Sequence, residues 1–269
     1  MQGRKGQRSE RASREPVRRI GADPGAAREL LNDPGVEALE MPQTPLDEAP
    51  YRDLVRAFLR SQPFTLNFKQ SSPAQALAML SGQLLGPGLF TREQALLAQD
   101  VAALAEFAQA LSGGPQVQIS VRNWFAPGDL VWHFDRSLQP KAFRVLWPLG
   151  RPAGMKITPA DNIDARVHRA YMNREYPLLY QLDRRIMRTP SLSGSDLETL
   201  WAHRPVQAAA MISGRFPFVR DSREEWAIKP HAASVHRIET PSQTGTYHRS
   251  SWENRLSPGF QFVMTAGSA

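Results

Sequence analysis

Asp129-Leu130-Val131-Trp132-His133-Phe134-Asp135-Arg136 is the stretch on which the reading of this chain turns. Between its charged ends it is apolar and aromatic, the composition of a strand, and along a strand residues i and i+2 face the same side. His133 and Asp135 are therefore expected to point into one space, with Trp132 and Phe134 turned the other way into a core. One imidazole and one carboxylate on a shared face are two thirds of a 2-His-1-carboxylate set, which holds Fe(II) and leaves coordination positions open.

Working outward, the same period of two recurs on both sides. Val117, Ile119 and Val121 alternate with Gln118, Ser120 and Arg122; Phe143, Val145 and Trp147 alternate with Arg144 and Leu146. Further strand-like runs lie at 206–212, 233–238 and 259–265. Before Pro115 the pattern is helical. Thr44-Pro45-Leu46-Asp47, Ser72-Pro73-Ala74-Gln75 and Thr91-Arg92-Glu93-Gln94 each offer a hydroxyl N-cap with an acidic or amide side chain three residues later. After the last of these, Leu97, Val101, Leu104, Ala108 and Leu111 form one apolar stripe that Gly113-Gly114 ends. Residues 164–188 read as an arginine-rich helix, and Ser195 with Glu198 as one more capping box. The expected organisation is one α+β domain: a disordered basic tail at 1–21, a helical N-terminal layer at 22–114, and a jelly-roll or cupin-like barrel at 115–269 with a helical insertion at 164–203.

Composition narrows the chemistry. With 269 residues, 41% of them hydrophobic, the chain can bury a large core. It has no cysteine, which excludes disulfides, iron–sulfur clusters and thiol nucleophiles and leaves His, Asp and Glu as metal ligands. That usage suits a reducing cytoplasm, and no stretch offers the roughly 20 apolar residues of a membrane span. The net charge of +7 is mostly a property of the first 21 residues, where seven Arg or Lys face Glu10 and Glu15. Such a tail has too little apolar surface to fold. It and the arginines of 166–188 are the places where nucleic acid would bind if this chain binds any. Signatures of phosphate-binding loops, dinucleotide folds, zinc proteases and serine hydrolases are missing.

A third ligand has to come from the remaining histidines. His168 and His203 fall in helical segments and read as surface or structural residues, and His231 has no evident partner. His236, in Ala232-Ala233-Ser234-Val235-His236-Arg237, and His248, in Gly245-Thr246-Tyr247-His248-Arg249-Ser250, are the candidates.

On these residues the chain resembles the double-stranded β-helix superfamily of Fe(II)- and 2-oxoglutarate-dependent oxygenases. There a His-x-Asp or His-x-Glu near the start of the β-core is completed by a distal His, and a following Arg or Lys anchors the far carboxylate of 2-oxoglutarate. The resemblance implies His133, Asp135 and His248 as metal ligands and catalytic site, with Arg255 as the co-substrate anchor. The interval from His248 to Arg255 is shorter than is usual in that superfamily, whereas Arg249 follows His236 at a more usual distance, so His236 with Arg249 stands as the alternative. A narrower similarity, over about residues 27–266, is to an uncharacterised bacterial family that combines His-x-Asp with a late His-Arg-Ser-Pro-like run. Here that run is His248-Arg249-Ser250-Ser251.

The function that this resemblance implies is a cytoplasmic non-haem iron dioxygenase of hydroxylase type. It would couple 2-oxoglutarate decarboxylation to oxidation of a small molecule that the sequence does not name. Two other classes use the same features: a cupin-like module holding a metal or small ligand without redox chemistry, and a nucleic-acid-binding protein using the basic tail.

Overall fold

The computed structural model describes residues 15–68, 72–114, 116–189 and 193–267. Ten strands form two sheets among these residues. The larger has seven, in the order β1 (Val17–Arg19), β2 (Ala38–Met41), β8 (Ala233–Arg237), β5 (Ala142–Leu149), β10 (Gly259–Gly267), β4 (Val117–Trp124), β3 (Phe64–Phe68). All its neighbours are antiparallel except β1 and β2. The smaller sheet has the order β7 (Trp226–Ala227), β6 (Lys156–Thr158), β9 (Tyr247–Arg249).

Strand period explains how the larger sheet is used. Ile119 and Val121 of β4, Phe143, Val145 and Trp147 of β5, Val235 of β8, and Phe260, Phe262 and Met264 of β10 belong to one apolar cluster. Four helices cover that face: α1 (Pro24–Asn32), α2 (Arg52–Arg60), α3 (Pro73–Leu84) and α4 (Thr91–Ser112). The α4 stripe of Leu97, Val101, Leu104, Ala108 and Leu111 packs into the same cluster, and Gly113 closes the helix at φ 70°. Phe58 of α2 stacks on Phe260 with ring centroids 5.2 Å apart. The intervening residues, Ser120, Arg122, Arg144, Leu146, Gln261 and Val263, face the opposite way and line a cavity.

A second apolar cluster lies beneath three later helices, α5 (Ala165–Met187), α6 (Gly194–Ala202) and α7 (Pro205–Ser213). Trp132 is buried in it beside Phe125, Leu130 and Phe218. The five arginines of α5, at 166, 169, 174, 184 and 185, are exposed, as is Arg188 just beyond it. No helix among the described residues is long and apolar enough to cross a membrane.

Several expectations are corrected. The run 129–136 is not a strand but an extended segment after a 3-10 turn at Pro127–Leu130. Its backbone bonds are divided between two neighbours, His133 with His248 of β9 and Arg136 with Glu239 just past β8, so no ladder forms. Extended geometry still puts His133 and Asp135 on one side. Residues 206–212 are helical: Pro205 opens α7, the alanines 208–210 favour it, and Gly214 at φ 66° ends it. The Ser72 capping box forms as expected. Near Thr44 there is only a short 3-10 turn, Leu46–Glu48, and the N-cap of α4 is Phe90. The cap of α6 is Ser193 with Asp196 in place of Ser195 with Glu198. Within the stretch expected as tail, 17–19 pair with β2; residues 1–14 lie outside the described residues.

Candidate metal centre and the arginine cavity

His133, Asp135 and His248 come together at the foot of the cavity. One ligand atom from each lies within 4.8 Å of the others. The backbone brings the two imidazoles together: His133 N–H donates to His248 O at 3.0 Å and His248 N–H to His133 O at 2.9 Å. Each ring then donates Nδ1–H to the carbonyl two residues back, His133 to Val131 at 2.8 Å and His248 to Thr246 at 3.0 Å. A carbonyl only accepts, so this contact fixes the tautomer and leaves Nε2 with a free lone pair. His248 Nε2 stands 3.5 Å from Asp135 Oδ2.

Charge favours the ligand forms of these groups. Burial would raise the Asp135 carboxyl, but contact with His236 and the nearby Arg144, His248 and His133 outweigh it and hold the carboxyl well below its usual range. Burial, reinforced by the neighbouring His133 and His236, holds His248 well below the usual imidazole value. At neutral pH the centre presents a neutral imidazole at 248 and a carboxylate at 135. The donor set, two nitrogens and one oxygen on one side of a cavity, fits a divalent metal with open positions.

His236 is near but in another place. It is fully buried on β8, its Nε2 is 3.7 Å from Asp135 Oδ2, and it does not line the cavity. It approaches the same Asp135 oxygen as His248 does, from a position outside the cavity lining.

The cavity holds about 300 Å³ and carries four arginines, of which spacing in the sequence had singled out only Arg249. Three are paired: Arg122 with Asp129, Arg144 with Asp135 and Arg249 with Glu225. Arg249 is further committed to Met211 O at 3.1 Å and lies over the Trp132 ring. Arg151 forms no carboxylate pair among the described residues. Its Nη1 donates to Ser250 Oγ at 2.7 Å, and its Nε is shut off from solvent without a partner. Burial pulls its guanidinium down to about 10, so it stays charged at neutral pH. Arg151 lies across Gly259 at the start of β10, where a Cβ would overlap the guanidinium. Arg255, expected in this cavity, is instead on the 3-10 turn Trp252–Leu256, its guanidinium 4.9 Å from the centre of the Trp252 ring, and it does not line the cavity. The last strand starts only at Gly259, after this turn.

At one wall Asp129 meets the helical insertion. Gly128 N–H donates to Asp183 Oδ1 of α5 at 3.1 Å, and burial together with the Asp129 charge raises the Asp183 carboxyl to about 7. His168 of α5, lowered chiefly by burial, is a satisfied structural residue whose Nε2 donates to Trp132 O at 2.8 Å.

No family model and no curated protein matches this sequence. Among solved structures the chain is similar to the dioxygenase for auxin oxidation 1 from Arabidopsis thaliana, in its complex with 2-oxoglutarate: TM-score 0.45, 9% identity, covering 93% of this chain and 91% of that one. It is also similar to the dioxygenase for auxin oxidation in rice, at TM-score 0.44, 10% identity, 92% of this chain and 82% of that one. A non-haem monooxygenase in its apo form aligns at TM-score 0.30 and 12% identity, over 79% of this chain and 76% of that one.

Proposed function

We propose that the protein is a metal-dependent oxygenase in which His133, Asp135 and His248 hold Fe(II) and Arg151 binds the far carboxylate of 2-oxoglutarate. One observation carries the reading. Two imidazoles with their Nδ1–H groups already committed converge by Nε2 on a carboxylate, at the foot of a cavity that contains a guanidinium without a carboxylate partner. In this reading the two sheets are the halves of a jelly roll of the double-stranded β-helix type, the helices of 22–114 form its outer layer, and 164–203 is an insertion.

Iron with 2-oxoglutarate, when bound, supplies the activation of oxygen that oxidises a C–H bond. The chain's own residues do the rest. Arg151 and the Ser250 hydroxyl offer charge-assisted hydrogen bonds to a carboxylate. Leu146, Val263, Pro148 and Met155 give the cavity apolar walls that keep water from the reacting groups. Arg122 and Arg144, each paired with an acid, hold the cavity's electrostatic balance without competing for the ligand. The substrate is a small molecule.

Anaerobic addition of Fe(II) and then 2-oxoglutarate to the purified protein should produce a weak visible charge-transfer band, and aerobic incubation should yield succinate. Both should vanish in His248→Ala. Stoichiometric zinc in protein from its native host, with neither band nor succinate after reloading with Fe(II), would replace this reading by a non-redox metal module.

A further inference from the structure

We propose that His236 is the positioning residue of the metal centre: from outside the cavity, its Nε2–H holds the Asp135 carboxylate in the rotation that presents an oxygen to His133 and His248. The inference rests on the reading of those three residues as ligands, and it concerns a histidine that does not line the cavity.

The geometry is specific. β8 alternates Val235 toward the helix-covered face with Ser234 and His236 toward the other, and His236 sits in register with Arg144 of β5 on one side and Ala38 of β2 on the other. Arg144 and His236 are therefore neighbours on the sheet, and both reach Asp135 Oδ2. Their situations differ. The Arg144 side chain keeps 24% of its surface exposed and can shift toward the cavity. His236 keeps none, and neither ring nitrogen has a hydrogen-bond partner. A buried imidazole N–H without an acceptor is costly, and the carboxylate oxygen 3.7 Å from Nε2 is the acceptor within reach.

The main chain ties the two residues as well. Glu239 N–H, three residues beyond His236, donates to Asp135 O at 2.8 Å, so the segment leaving β8 ties down the backbone of the same residue whose carboxylate His236 approaches. The His236 ring also packs against that of His248, with centroids 4.6 Å apart. A buried donor to a ligating carboxylate sets its orientation, and loss of such a partner weakens metal affinity without removing a ligand.

The test uses two readouts on the full-length protein. In the metal-free state, nitrogen NMR of labelled histidines should show His236 as the Nε2–H tautomer, with a signal that moves in Asp135→Asn. In anaerobic Fe(II) and Co(II) titrations, His236→Leu and His236→Asn should weaken binding by about 10- to 100-fold at unchanged stoichiometry. His236→Gln, which returns an N–H near the position of Nε2, should restore most of the affinity. Wild-type affinity in His236→Leu, no rescue by Gln relative to Asn, or a His236 signal indifferent to Asp135→Asn would overturn the inference. A wild-type protein that takes up neither metal sinks the oxygenase reading instead, and the His236 signals then decide on their own whether the contact exists.

Discussion

The two faces of the larger sheet are made by the same strands and do opposite things. On β5, Phe143, Val145 and Trp147 are fully buried against α1–α4, while Arg144 and Leu146 between them face the cavity. On β10, Phe260 and Phe262 pack with Phe58 and Trp147, while Gln261 and Val263 line the site. The apolar face owes its stability to area removed from water. The polar face keeps arginines, histidines and an aspartate in mutual contact, a choice that costs desolvation and yields binding chemistry. The lesson is a division of labour at a spacing of one residue. Substitutions on one face should move stability and leave the metal alone, and substitutions on the other should do the reverse.

The largest effect expected is in the cavity that the polar face lines, where β9 of the smaller sheet supplies His248. His248→Ala removes one of three ligands and should abolish Fe(II) binding in an anaerobic titration, with circular dichroism still native. Next is its counterpart: Trp147→Ala should cost about 3–5 kcal/mol in denaturant unfolding, because a fully buried indole leaves a cavity behind. Whatever folded fraction remains should bind metal normally. Arg151→Met should weaken 2-oxoglutarate binding by about 1.5–3 kcal/mol, the worth of hydrogen bonds to a charged group, read by calorimetry with metal affinity unchanged. Gly259→Ala should act in the same direction, whereas Arg255→Ala should leave 2-oxoglutarate binding as it was.

Asp183 gives a pH-dependent version of the comparison. Burial and the Asp129 charge raise its carboxyl to about 7 in the folded protein, from an ordinary value of 3.8 in the unfolded chain. A group raised by folding contributes stability that is present below the unfolded value and is lost as pH rises through the folded one. Asp183→Asn should therefore raise Tm more at pH 8 than at pH 5, since the amide still accepts from Gly128 without charge. No pH dependence of that difference would contradict the assignment. The smallest effect is at an exposed helix start: Ser72→Ala, which removes the capping box of α3, should cost about 1 kcal/mol in denaturant unfolding.

Legibility in the sequence followed period and failed at geometry. The alternations at 117–122 and 143–147, the α4 stripe and the last strand are local patterns of 2 or 3.6 residues, and the structure uses them as read. His133 and Asp135 face one way because an extended segment keeps the parity of a strand even where no ladder forms. The structure also brings His248 to them. Arg151 could not be found by spacing, because its importance depends on the turn after β5 and on the bare backbone at Gly259, more than a hundred residues later. Arg255 was expected in the cavity from its order after His248, and the 3-10 turn Trp252–Leu256 sets it over the Trp252 ring instead. The error at 206–212 has a similar source: an alternation with few polar residues fits either period, and Pro205 and Gly214 were the deciding marks. His236 was legible as a candidate but not as a group approaching the carboxylate from outside the cavity, since residues on neighbouring strands have no fixed sequence distance.

The reciprocal backbone bonds between His133 and His248 have a thermodynamic consequence. They close a long loop, and the entropy lost in closing it belongs to folding and not to metal uptake. A metal arriving at this centre meets two imidazoles already juxtaposed and already in the right tautomer, so little ordering opposes its binding. Uptake and release of the ion are then separable from the integrity of the fold, unlike small domains that a chelator unfolds. If the proposed centre binds a metal, the protein should survive stripping and reloading with a different divalent ion, folded throughout.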